Sequence, residues 1–130
     1  MNRLSAFAPQ LLSILRIVAA LAFMQHGLMK LFDFPGPQQG APDPLPLILQ
    51  VAAWMEIVGG GLLAIGLFTR PVAFVLSGMM AVAYWMAHGV KGFYPALNGG
   101  ELALLYCFVF LYIAAAGGGA WSADAARRKG

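Results

Sequence analysis

The sequence predicts an all-α integral membrane protein, a bundle of four helices with both termini in the cytoplasm. Three observations predict it. The 130 residues are 61% hydrophobic and only 10% charged, where a soluble domain carries roughly a quarter charged residues. The apolar residues run in long blocks. Pro71 to Val90 gives twenty residues without Asp, Glu, Lys or Arg, and Leu102 to Ala123 gives twenty-two more; about twenty apolar residues cross a hydrocarbon core of roughly 30 Å. Four such spans with short connections use nearly the whole of residues 1–130, so one membrane domain is expected and no soluble one.

The first span is expected at residues 10–32. It ends before Asp33-Phe34-Pro35-Gly36-Pro37, the start of a loop through Pro46 whose Pro, Gly and Gln cannot continue a helix. Ala20-Leu21-Ala22 has the form of a signal-peptidase site, but Arg16 leaves too short an apolar stretch before it, so the segment is expected to be retained. The second span is expected at 47–68. Thr69-Arg70-Pro71 reads as a tight turn, with Thr69 as N-cap and Pro71 in the first turn of a third span at 72–89. The connection 90–100 carries Phe93 and Tyr94, aromatics suited to a membrane interface. The fourth span is expected at 101–116, stopped by Gly117-Gly118-Gly119, and the tail 121–130 reads as a short helix capped by Ser122. The pairs Gly60/Ala64, Ser77/Ala81 and Ala83/Ala87 allow close helix approach.

Orientation follows from Lys and Arg. Arg3, Arg70, Arg127, Arg128 and Lys129 fall on one side and Lys30 and Lys91 on the other; five against two places the first set in the cytoplasm. The net charge of +3 is scattered apart from Arg127-Arg128-Lys129, which reads as a topology signal with some attraction to anionic lipid and not as a nucleic-acid surface. Cys107 is the sole cysteine, so an internal disulfide, a CxxC pair and a cysteine zinc site are excluded.

The ionisable residues within the spans are the candidate functional residues, because a charge at bilayer depth costs about 3 kcal/mol or more and needs a partner, water or a role. At 1.5 Å per residue, Arg16 lies about 9 Å and His26 about 24 Å into the first span, with Lys30 near the outer surface. Glu56 falls near the midplane of the second span, while His88 and Glu101 edge the third and fourth. His26 and Lys30, four residues apart, share a face, and Arg16 lies within about 40° of Lys30 on the same stripe. Glu56 is the one carboxylate at mid-depth and is the expected partner of Arg16 or His26; paired it stays ionised, unpaired it becomes a proton-carrying group.

Each residue also has a structural explanation. Arg16 can snorkel to the surface, and Lys30 and His88 can mark the interface. Asn98-Gly99-Gly100-Glu101 has the spacing of a capping box. A metal site from His26, His88, Glu56 and Glu101 has suitable ligand types but no supporting spacing motif, and none is expected.

Arg16, His26-Gly27-Leu28-Met29-Lys30-Leu31-Phe32, Glu56-Ile57-Val58-Gly59-Gly60, Gly66-Leu67-Phe68-Thr69-Arg70, Gly99-Gly100-Glu101 and Trp121-Ser122-Ala123-Asp124 occur in the order of a known pattern. The chain resembles the DoxX family of small four-helix membrane proteins over nearly its whole length. The resemblance implies the four-span bundle, an inner-membrane location and an association with membrane oxidoreductases, thiosulfate:quinone oxidoreduction and oxidative stress. Members that depend on cysteine pairs cannot guide a chain with one cysteine.

The expected function is a redox-associated subunit holding a quinone or similar apolar molecule in the outer half of the bundle. His26, Lys30 and His88 would donate hydrogen bonds, Glu56 would relay protons, and Met24, Met29, Trp54, Met55 and Trp85 would line the slot. The alternatives are a non-catalytic scaffold for an oxidoreductase complex and, less favoured, a small transporter or proton pathway. The partners expected are the lipid bilayer, oxidoreductase subunits and a second copy of the chain.

Overall fold

The computed structural model describes residues 3–37 and 44–129, the side chain of Lys129 excepted. The part of the Pro- and Gln-rich loop expected at 38–43 lies outside the described residues. Helix α1 (Ala8–Phe32) follows a 3-10 turn at Arg3–Phe7 and begins with Pro9 in its first turn, where the missing N–H has no helical partner to lose. It stops at Asp33, whose left-handed conformation turns its N–H back to the Leu28 carbonyl.

Helix α2 (Leu47–Ile65) ends three residues before the expected limit. Gly66 is the cause. At φ +75° its N–H bonds the Leu63 carbonyl while the N–H of Leu67 bonds that of Leu62, the paired bonds of a Schellman motif that only a residue tolerant of positive φ closes without strain.

Helix α3 (Thr69–Ala83) starts three residues earlier than expected, so Thr69 is a helical residue and not the N-cap. The cap comes from far along the chain. Asp124 of the terminal helix accepts the Phe68 and Thr69 N–H groups at 3.0 and 2.9 Å. Past Ala83 the helix continues through a π turn at Tyr84–His88 and a 3-10 turn at Gly89–Lys91, giving a membrane-length segment of 23 residues. A short helix α4 (Pro95–Asn98) leads into α5 (Glu101–Ala116), and α6 (Ala123–Lys129) closes the chain with Ser122 Oγ accepting the Ala125 N–H.

The described elements are helical, and three of them are long and apolar enough to cross a membrane; α5, at 16 residues, is the shorter fourth. α1 packs most closely on α2 and α3 on α5, and the two pairs meet around Ala20, Phe23, Leu63, Leu76, Phe110 and Ile113. Phe23 stands edge-on to Phe110 at 5.0 Å and to Tyr106 at 5.3 Å. Outside this core Val18, Phe74 and Leu105 are each more than half exposed, a contiguous apolar exterior that only a lipid environment satisfies. This is a multi-pass membrane protein.

Candidate functional site

The polar residues expected from the sequence to matter fall, with their partners, into three groups at three depths. The first lies between α1, α2 and α5. Lys30 Nζ donates to Glu56 Oε1 at 2.6 Å, with the Lys30 side chain 14% and the Glu56 side chain 3% exposed. The helices come close enough because Gly27 faces α2: a Cβ there would stand 2.5 Å from the Ala53 carbonyl and 3.0 Å from Glu56 Cβ. His26 lies half-buried one turn below Lys30, within electrostatic reach of the Glu56 carboxylate, and its Nδ1 is 3.4 Å from the Phe23 carbonyl. Its ring stands nearly perpendicular to that of Tyr106, with centroids 6.1 Å apart. Tyr106 also feels the Glu56 charge.

The second group is at the end of the bundle where α1 begins. Arg16, 1% exposed, donates to the carbonyl of Gly118, to that of Trp121 at 2.9 Å and to that of Ala64 at 3.4 Å. Ser13 Oγ donates to the Gly118 carbonyl and accepts the Trp121 N–H, both at 2.9 Å. The expected Arg16–Glu56 pair is therefore replaced. The physical reason is depth: Ala64 lies eight residues beyond Glu56 on α2, about 12 Å along the axis, and the glycine-rich turn after α5 presents bare carbonyls at the Arg16 level. Lys30 meets Glu56 instead by turning inward from its place near the end of α1.

The third group closes the opposite end of the bundle, where the chain passes from α3 to α5. Asn98 Nδ2 donates to the Tyr84 hydroxyl and the Gly92 carbonyl, both at 3.0 Å, while its Oδ1 accepts the Gly100 N–H at 2.8 Å. His88 Nδ1 lies 3.2 Å from the Asn98 carbonyl. The capping box expected from Asn98 and Glu101 does not form, because Asn98 belongs to α4 and Gly99 turns the chain at φ +78° before α5 starts. Glu101 is left exposed in the first turn of α5. Among the described residues no three of His, Cys, Asp and Glu converge; His26 and Glu56 belong to one group, His88 to another.

The apolar residues expected to line one slot are also divided. Met55 lines a groove of about 580 Å³ between the first half of α2 and the last part of α3 with the π turn, together with Ala52, Met79, Val82 and Met86. With Trp54 and Val75 it lines a second groove of about 480 Å³ further along the same seam. Met24 packs under Gly60, and Trp85 stands exposed beside Tyr84.

Sequence reasoning passed over Tyr106 and gave Gly118, Trp121 and Asp124, although they stand in the quoted motifs, no role at a site. For Tyr106 a signal existed: it lies five residues into its span from the outer end and His26 six residues from the outer end of its own, so the two are level. The Arg16 cradle is made of backbone carbonyls, which every residue carries and no side-chain pattern reports.

The DoxX family model matches residues 11–89. The chain belongs to the DoxX family. The matched stretch runs from the start of α1 through the π turn and so contains Arg16, His26, Lys30 and Glu56. An uncharacterized protein of Haemophilus influenzae is 47% identical over 131 residues, covering 95% of this chain and 96% of its own. A second uncharacterized H. influenzae protein is 32% identical, covering 91% and 83%. The inner membrane protein YphA of Escherichia coli K12 is 40% identical over 73 residues, about half of each chain. No solved structure matches. DoxX membership and the apolar helices together make the chain a multi-pass inner-membrane protein.

Proposed function

We propose that this DoxX-family chain is a redox-associated membrane subunit that holds a quinone or similar apolar carbonyl compound at the seam between α1 and α5. The observation that carries the reading is the meeting of the His26 imidazole and the Tyr106 phenol beside Glu56. A quinone needs an apolar slot, donors aimed at its carbonyl oxygens and a proton route. Tyr106 and one nitrogen of His26 are donors of the right kind, and the Tyr106 hydroxyl has no hydrogen-bond partner among the described residues. Phe23 and Phe110 pack against the Tyr106 ring in the buried core and make its surroundings apolar. When bound, a quinone would supply the two-electron chemistry; the residues of this chain hold and orient it, and Glu56, fixed by Lys30, keeps a carboxylate within reach for proton exchange.

Titration of the purified chain with a short-tailed quinone tests this, read by quenching of tryptophan fluorescence. Wild type is expected to bind, with His26→Ala and Tyr106→Phe each weakening binding about tenfold, the effect of losing one hydrogen bond to a buried acceptor. Equal binding by both variants removes these residues from the site.

A second reading, a scaffold for an oxidoreductase complex, is favoured by the closed Lys30–Glu56 pair, whose charges are spent on each other and so fix the register of α1 against α2. Co-purification separates the two: a scaffold brings a partner subunit, an independent binder retains its ligand alone.

A further inference from the structure

The end of the bundle opposite the Lys30–Glu56 pair holds a cavity that the proposed function does not use. It measures about 770 Å³ and opens between the start of α1, the start of α3, the end of α5 and α6, with Arg70, Thr69, Tyr112, Asp124 and Arg128 on its walls. Arg70 is exposed and donates to the carbonyls of Ala115 and, at 3.5 Å, Ala114 at the end of α5. These use part of a guanidinium that carries five N–H donors. Arg128 is exposed on α6, one turn beyond Asp124. The Asp124 carboxylate also faces the cavity, but both its oxygens are occupied by the Phe68 and Thr69 N–H groups. Two guanidinium groups against one carboxylate leave the mouth net cationic.

The continuation of the cavity identifies its occupant. A groove of about 570 Å³ runs on from it, lined by Leu4, Leu11, Leu12, Leu15 and Tyr112; Ala8, Leu12 and Tyr112 line both spaces. Leu4, Leu11 and Leu15 are exposed on the lipid side of the 3-10 turn and α1. A basic mouth at the helix ends thus adjoins an apolar groove along the lipid-facing side of α1, with three wall residues in common. That combination matches a phosphate joined to an acyl chain, since guanidinium groups pair bidentately with phosphate oxygens and tyrosine favours the interface.

We infer that this cavity is a binding site for an anionic phospholipid, its phosphate held by Arg70 and Arg128 and one acyl chain lying along Leu12, Leu15 and Tyr112. Soluble phosphate shares the headgroup chemistry, and only the lipid uses the groove.

Native mass spectrometry of the full chain in mild detergent tests the site, with phosphatidylglycerol and phosphatidylethanolamine of identical tails added in turn. Adducts of the anionic lipid are expected to exceed those of the zwitterionic one by about thirtyfold, the ratio expected for two basic contacts at a membrane surface. Arg70→Gln and Arg128→Gln are each expected to bring that ratio toward one, and Lys91→Gln at the opposite end to leave it unchanged. Leu15→Trp, which fills the groove, is expected to reduce adducts of both lipids. Arg128→Gln touches an exposed side chain and keeps the test decisive where Arg70→Gln loosens the end of α5. An unchanged ratio in Arg128→Gln, an equal loss in Lys91→Gln, or wild-type adducts in Leu15→Trp overturns the site. Displacement of the lipid by inorganic phosphate as effectively as by phosphatidylglycerol overturns the lipid assignment.

Discussion

Replacing Glu56 by Gln leaves Lys30 Nζ beside a neutral amide at a place where the carboxylate is almost wholly buried. Breaking a buried ion pair by removing one member costs about 3–5 kcal/mol, and the small exposure of Lys30 sets the expectation at the lower end, about 3. Thermal unfolding in detergent is expected to show that loss for Glu56→Gln and to recover most of it in Glu56→Gln with Lys30→Met. A single variant as stable as wild type would remove the pair from the stability of the bundle. Asp124 makes a second residue-scale prediction. Burial pushes its carboxyl up, but the Thr69 and Phe68 N–H groups and the Arg127 charge outweigh this and hold it below the usual carboxylate range. With the folded value below the unfolded one, its contribution is complete above the unfolded value of about 3.9 and is lost as pH falls through the folded one. The gap in melting temperature between wild type and Asp124→Asn is expected to be constant near neutrality and to close below about pH 4; a gap that widens in acid contradicts the sign. The charges themselves were legible in the sequence, because Arg16, His26, Lys30 and Glu56 interrupt apolar blocks. Their partners were not: depth can be counted along one helix, but which neighbour turns toward it depends on packing, and the Arg16 acceptors are main-chain oxygens.

The helices test whether close approach or propensity governs their stability. Gly27 and Gly78 are both helical glycines. A Cβ at Gly27 would press on the backbone of α2, whereas one at Gly78 meets nothing within 4 Å. Gly78→Ala is expected to be neutral or stabilising by up to about 1 kcal/mol, the intrinsic helix preference. Gly27→Ala is expected to destabilise by about 1–3 kcal/mol, the usual cost of overpacking, and to disturb the Lys30–Glu56 contact. Equal behaviour of the two variants in a detergent melt would show that α1 and α2 do not need their close contact. Element identities were readable from block length alone, but the ends were less so. Span two was expected to reach 68 because Leu67 and Phe68 are apolar, and the Schellman turn at Gly66 stops it at Ile65. Thr69 resembled a cap by residue type; the carboxylate that does the capping lies fifty-five residues downstream in α6, beyond the reach of any local signal.

Across the molecule, the first and last described elements lie at the same end, with the Ala120 N–H bonded to the Pro9 carbonyl and the Trp121 N–H to Ser13 Oγ. Arg3, Arg70, Arg127 and Arg128 share that end, so the excess of positive charge predicts it to be cytoplasmic. Reporter fusions at both termini are expected to give cytoplasmic signals, and a periplasmic signal from either would reverse the assignment. The same junction has a consequence for synthesis. Arg16 and the Gly118 carbonyl that receives it are 102 residues apart, a stretch that a ribosome working at about 5–20 residues per second takes roughly 5–20 s to make. During that interval the first helix carries a guanidinium for which only the Ala64 carbonyl, 3.4 Å away in the finished fold, is made earlier. Two of the three carbonyls that Arg16 meets, those of Gly118 and Trp121, are made only after α5, so a chain lacking them is expected to strand the arginine. A chain stopped after Ala116 is expected to be degraded rapidly in a pulse-chase experiment, and Arg16→Leu in the same truncated chain to restore its lifetime. Rapid loss of both would place the degradation signal somewhere other than the stranded arginine.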